Sequence, residues 1–222
     1  MKDMLARQAY RLILLAVFVS IFAGLMAPDY LDWSARNRQA QKLAVRLEDD
    51  SEQVRGQSMR DLSEMGAIAI PHIAKLLDSQ DAETRVWALR GICATADHNV
   101  SNDDPDAQIL SGTIPRLNRE VSAPRAVPLL TRALSDPSAE VRRVAASGLG
   151  CFYDCADSSQ ARLIASLSDE DAEVRSRALN TLAYRMMVRS PELTSAVRKL
   201  LDDSDPAVAQ SAREYLDRFQ TR

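Results

Sequence analysis

The sequence predicts an all-α protein, a right-handed α-solenoid of about five helical hairpins preceded by an N-terminal apolar helix. Three observations predict it. One turn pattern occurs five times, at residues 47–55 (LEDDSEQVR), 77–85 (LDSQDAETR), 134–142 (LSDPSAEVR), 167–175 (LSDEDAEVR) and 201–209 (LDDSDPAVA). Apolar residues flank each turn at helical spacing, as in Ile70, Ile73 and Leu77 before the second turn and Trp87, Ala88 and Ile92 after it. Only 7 glycines occur in 222 residues, which leaves little material for β-turns.

Residues 1–11 carry Lys2, Arg7 and Arg11 and precede an uncharged run at 12–27, LILLAVFVSIFAGLMA. This is the layout of a secretory signal or signal-anchor. Sixteen residues at ~1.5 Å each span ~24 Å, short of the ~30 Å hydrocarbon core. Arg11 can snorkel, and Tyr10 and Tyr30 suit the interface, so a thin transmembrane span is the expectation. Ala27 sits where a peptidase would cut, but Leu25 is large for its position and Pro28 would follow the cut, so an uncleaved anchor is expected. Cleavage, giving an exported soluble protein, is the alternative. The basic N-terminus predicts residues 1–11 in the cytoplasm and the body on the periplasmic side of an inner membrane, with the cytoplasmic side as the alternative.

Residues 28–41 read as a linker or capping helix, and 42–219 as the repeat domain. Pro71 and Pro128 are expected to open first helices, where no backbone donor is needed. Ser and Asp in each turn supply N-cap oxygens for the second helix, and Glu52, Glu83, Glu140 and Glu173 sit at the positive end of its dipole. The turn leucines Leu47, Leu77, Leu134, Leu167 and Leu201 are 30, 57, 33 and 34 positions apart. The long step holds an insert at 95–124, acidic at first (Asp97, Asp103, Asp104, Asp106) and then partly apolar (Ile109, Leu110, Ile114, Leu117). Its acids lack a calcium-loop spacing. Asn99-Val100-Ser101 is a glycosylation sequon by pattern.

The core LxDxDxxVRxxAxxxL, clearest at residues 167–182 (LSDEDAEVRSRALNTL), resembles the HEAT-repeat family, in its short bacterial form also seen in phycobilisome lyase-type repeats. The resemblance covers about residues 42–219 and implies stacked hairpins whose second helices line the inner face. It also implies a ladder of charge-assisted hydrogen bonds between neighbouring turns. The arginine column is Arg55, Arg85, Arg142 and Arg175, with Ala209 in the fifth place; the aspartate column is Asp49, Asp136, Asp169 and Asp203, broken by Ser79.

The sequence also bounds function. Net charge is −3, and residues 28–222 carry −5 because the first 27 hold +2. A mildly acidic body weighs against nucleic-acid binding. His72 and His98 are not followed by Glu, as paired His-Glu metal motifs require, and no Ser-His-Asp order, phosphate loop or metal-ligand set emerges. No metal or cofactor is expected, and the chain reads as a non-enzyme: a membrane-tethered scaffold or adaptor that binds a protein partner, in a membrane or periplasmic complex. A lyase-type enzyme or chaperone for a cofactor-bearing partner is the alternative. Arg60, Trp87, Arg90, Arg143 and Asn180 are the expected partner-binding residues, a basic and aromatic strip suited to an acidic protein segment. Cys93, Cys151 and Cys155 are odd in number, so at most one internal disulfide forms, from Cys93 to Cys151 or Cys155, or all three are buried thiols.

Overall fold

The computed structural model describes residues 33–96, 114–154 and 157–220. The chain divides into two compact units, Met1–Gln39 and Ala40–Arg222. Of the first, residues 33–39 are described and are helical, with Arg38 donating to Ser34 at 2.7 Å. The expected span at 12–27, the acidic half of the insert, the sequon, His98 and Cys155 lie outside the described residues. No helix among those described is long and apolar enough to cross a membrane.

The second unit is a run of helical hairpins. Its first helix, α1, covers residues 40–45 and passes through the expected linker boundary at residue 42 because Ala40, Leu43 and Ala44 supply a buried stripe. Then follow α2 (Glu52–Met65), α3 (Ile70–Ile73), α4 (Ala82–Ala94), α5 (Ile114–Ala133), α6 (Ala139–Leu149), α7 (Gln160–Ala165), α8 (Ala172–Asn180), α9 (Pro191–Lys199) and α10 (Pro206–Gln220). Four of the first helices tighten into a 3-10 turn around the repeat leucine, at Arg46–Glu48, Ala74–Asp78, Ser166–Ser168 and Leu200–Asp202, whereas α5 ends at Ala133 in an ordinary turn. The chain then extends for the turn: Asp49, Ser79, Asp169 and Asp203 all have ψ between 140° and 148°. Asp81 caps α4 by accepting from the Glu83 and Thr84 amides, Asp171 caps α8 through Val174, and Ser190 caps α9 through Leu193.

The hairpins stack in two layers. In the second-helix layer α2 packs on α4, α4 on α6, α6 on α8 and α8 on α10. The two layers enclose one core from Ala40 to Tyr215, in which Leu47, Leu62, Ile73, Leu89, Leu130, Leu149, Leu163 and Val197 are fully buried. Each such aliphatic side chain contributes roughly 1.5–3 kcal/mol on leaving water. The repeat leucines face this core, so the spacing that defines the sequence repeat is the spacing of core contacts.

One boundary is corrected. Residues 114–124, expected to be insert, belong to the 20-residue α5, and Pro128 does not open a helix but lies inside α5 with Pro124. Proline normally breaks a helix by removing an amide donor. Here Ala123, Ala126, Val127 and Leu130 continue one buried face past both prolines, and tertiary packing overrides propensity.

Candidate interaction surface

The turn arginines point along the stack. Arg85 donates through Nε and Nη2 to both oxygens of Asp136, at 2.9 Å each, and through Nη1 to the carbonyls of Ser79 and Gln80 in its own turn. Arg142 repeats this on Asp169 at 2.8 Å for both bonds, and Arg175 on Asp203 at 2.7 and 2.5 Å. Each receiving aspartate also accepts from the amide two residues on, Ser138, Asp171 or Asp205. The fork of a guanidinium fits this task because it meets a carboxylate with two parallel bonds and still has an edge for backbone carbonyls. The pairing of Arg85 with Asp136 spans 51 residues, whereas the next two span 27 and 28, so the ladder crosses the inserted stretch without a break.

These groups shape their own ionisation. Bonding to Arg175 holds the Asp203 carboxyl below its ordinary range. Burial pushes the Asp136 carboxyl up, but Arg85 and the Ser138 amide outweigh it and the net shift is downward. Asp171, held by Arg143 and opposed only by partial burial, is brought down to about 2. Asp49 begins the column and accepts from the Ser51 amide. Arg55 finds Ser79 where an aspartate would stand and pairs with Glu83 at 2.5 Å.

A groove of about 830 Å³ runs over the second helices α2, α4, α6 and α8. Met59, Ala94, Val144 and Gly148 give it an apolar floor, and Arg90, Glu140, Arg143, Glu173 and Arg177 give it a charged rim. Of the five expected partner-binding residues, it brings together Arg90 and Arg143. Arg60 and Asn180 are exposed but outside the lining, and Arg60 donates to Gln57 at 2.7 Å. Trp87 is 7% exposed, too buried for a contact residue. The guanidiniums of Arg55 and Arg90 both lie over its ring, at 5.1 and 5.0 Å from the ring centroid. Arg143 is bound by both oxygens of Asp171, and Arg177 by Glu173 and by the Ser147 hydroxyl. The rim is thus mixed in sign, not the basic strip expected from sequence. Glu140, Val144, Glu173 and Arg177 were missed as lining residues, although Glu140–Val144–Gly148 and Glu173–Arg177 are spaced by four on second helices, which marks a single face.

Cys93 and Cys151 both line the groove and are half-buried. No disulfide joins them, which corrects one of the two expected bridges; the other involves Cys155. The Cys93 sulfur instead lies where Gly148 has no side chain. A Cβ there would come within 2.5 Å of it and within 2.9 Å of Leu130. Glycine at 148 therefore lets α4 approach the α6 backbone closely.

Residues 126–156 match a model described as HEAT repeat, and residues 160–222 one described as HEAT repeats. A comparison with curated proteins finds no match. Two solved structures are similar over most of their length. One is an engineered protein, 20% identical, with 80% of this chain and 78% of that one covered at a TM-score of 0.53. The other is a computationally designed armadillo repeat protein for modular peptide recognition, 19% identical, with 80% of each chain covered at a TM-score of 0.53. Likeness at this identity speaks for the fold. The described residues form an all-helical repeat solenoid, with matches to HEAT-repeat models over residues 126–156 and 160–222.

Proposed function

We propose that this chain is a protein-interaction scaffold, tethered to an inner membrane by residues 12–27 with its repeats on the periplasmic side, and that it performs no catalysis. One observation carries the binding role: the groove over four successive second helices, with an apolar floor and charges of both signs on its rim. Such a surface suits an extended protein segment, because apolar side chains reach the floor while polar ones register against the rim. The designed armadillo protein of similar fold is described as recognising peptides, which supports the same reading here. Arg143 and Arg177 already hold carboxylates, so they order the rim more than they attract a partner. Arg90 lies over Trp87 and holds no carboxylate among the described residues, which makes it the cation best placed to meet an acidic group.

A photo-crosslinking residue at Val144, on the groove floor, should capture one protein in cells, and the same residue at Arg132, on α5, should not. Arg90→Glu should weaken that capture by about tenfold, the loss of one charge-assisted contact. Equal capture from both positions, or capture unaffected by Arg90→Glu, would remove the groove as the binding face. A topology reporter fused after Arg222 tests the membrane arm. A reporter active only in the cytoplasm rejects the periplasmic placement, and a chain recovered entirely in soluble fractions rejects the tether.

A further inference from the structure

The connection from α8 to α9 departs from the regular repeat. α8 ends in a π turn over Thr181–Arg185, closed by the Met186 amide on the Thr181 carbonyl at 2.9 Å. Met187 follows at φ 50°, the one non-glycine residue with positive φ among those described, and is 70% exposed. A left-handed backbone is unfavourable for a residue with a Cβ, and π turns inside helices concentrate at functional positions. The loop is nevertheless held in place: Val188 is buried, its amide bonds the Leu182 carbonyl, and the Tyr215 hydroxyl donates to its carbonyl at 3.3 Å.

The fixed loop sets Arg189 over the ring of Phe219, 5.0 Å from its centroid. Arg218, from α10, lies over the same ring and over that of Tyr184, at 5.7 Å in each case. Stacking orients a guanidinium through its flat face and leaves the N–H edge open. In the ladder every turn arginine holds a carboxylate, but no ion pair joins Arg189 or Arg218 to one among the described residues. Both arginines line one cavity of about 330 Å³, together with Ala183, Tyr184, Met187 and Phe219, and no carboxylate among the described residues lines it.

We infer that this cavity binds a phosphate group, held by the guanidiniums of Arg189 and Arg218 that line it. Two oriented forks match the two charges and several acceptor oxygens of a phosphate monoester, whereas a carboxylate would neutralise only one of them. The volume exceeds that of bare phosphate and leaves room for a body that carries it. That body is a small soluble phosphomonoester or the headgroup of a phosphomonoester lipid, which share this chemistry. The site lies outside the groove assigned to the protein partner and does not depend on that assignment.

The test uses the full-length chain with two probes: glycerol 3-phosphate, followed by calorimetry, and phosphatidylcholine vesicles with and without phosphatidic acid, followed by co-sedimentation. Arg189→Gln and Arg218→Gln should each weaken phosphate binding by about tenfold. Arg213→Gln, which removes an exposed cation of α10 outside the cavity, should leave it unchanged. Arg218→Lys keeps the charge but loses the flat fork, and should weaken binding nearly as much as Arg218→Gln. Saturable glycerol 3-phosphate binding with this pattern supports a soluble ligand. The same pattern confined to the increment that phosphatidic acid adds supports a lipid headgroup. No binding of either probe, an equal loss in Arg213→Gln, or normal binding by Arg218→Lys overturns the proposal.

Discussion

Arg55 and Arg175 occupy the same place in their hairpins, yet only Arg175 meets an aspartate in the next turn. Arg175 and Asp203 are 10% and 6% exposed and share two bonds, at 2.7 and 2.5 Å. Arg55 pairs instead with Glu83, whose side chain is 61% exposed, through a single bond, and its Nε is buried with no partner. The cause is one residue. Ser79 still accepts from the Asp81 amide and so preserves the turn, but a hydroxyl cannot neutralise a guanidinium. The ring of Trp87 covers the face of Arg55 in partial compensation. The column aspartate therefore does two separable jobs, shaping its own turn and tying it to the previous one, and serine retains only the first.

The largest effect should follow from cutting the strong joint. Asp203→Ala leaves the Arg175 guanidinium shielded from water with two donors unanswered, and is expected to cost about 3 kcal/mol. Nearest-neighbour stability in a repeat array predicts that the loss concentrates in the last hairpin. Native-state hydrogen exchange should therefore show the amides of α9 and α10 opening first, with those of α2 unchanged. Uniform loosening, or a cost no greater than that of Glu83→Ala, would mean that the joints do not differ as their geometry indicates.

Acid should separate the joints next. Asp136, Asp171 and Asp203 have folded-state pKa values below their ordinary range, with Asp171 at about 2. The unfolded chain then binds more protons than the folded one through this interval. The stabilisation is complete above about pH 4 and is lost as pH falls toward about 2. Denaturation midpoints measured across that interval should drop, and Asp171→Asn should flatten the part of the slope due to its bond with Arg143. An unchanged slope in that variant would show that the Arg143–Asp171 bond contributes no pH-linked stability.

Much of this was legible in sequence, and what was not has specific physical causes. The leucine spacing located the core because each leucine is a core contact, and Asp and Arg at fixed offsets lie beside one another once the hairpins stack in register. The prolines of α5 misled because local propensity is weak against the buried face formed by Ala123, Ala126 and Leu130. Trp87 misled because residue type suggests a contact surface, while its position in the second-helix layer gives it two guanidinium neighbours and 7% exposure. The sign of the groove rim was out of reach, since it depends on Arg143 meeting Asp171 from the following turn, 28 residues away.

The smallest effect is a gain. Ser79→Asp would restore a carboxylate at the position from which Asp136, Asp169 and Asp203 serve the preceding arginine. It would keep the bond to the Asp81 amide and offer Arg55 Nε the acceptor it lacks. A hydrogen bond to a charged group is worth roughly 1.5–3 kcal/mol. Repulsion from the nearby Asp81 and Glu83 offsets part of this, leaving an expected gain of about 1 kcal/mol. Glu83→Ala should cost about 0.5 kcal/mol in the natural chain, as exposed ion pairs usually do, and close to nothing in the Ser79→Asp background, where the new carboxylate holds Arg55. That loss of sensitivity is the decisive reading, because it reports a coupling between two positions and not a general change in charge. If Glu83→Ala costs the same in both backgrounds, Ser79 is not what weakens the first joint, and the difference between the two ends of the ladder lies in the hairpins themselves.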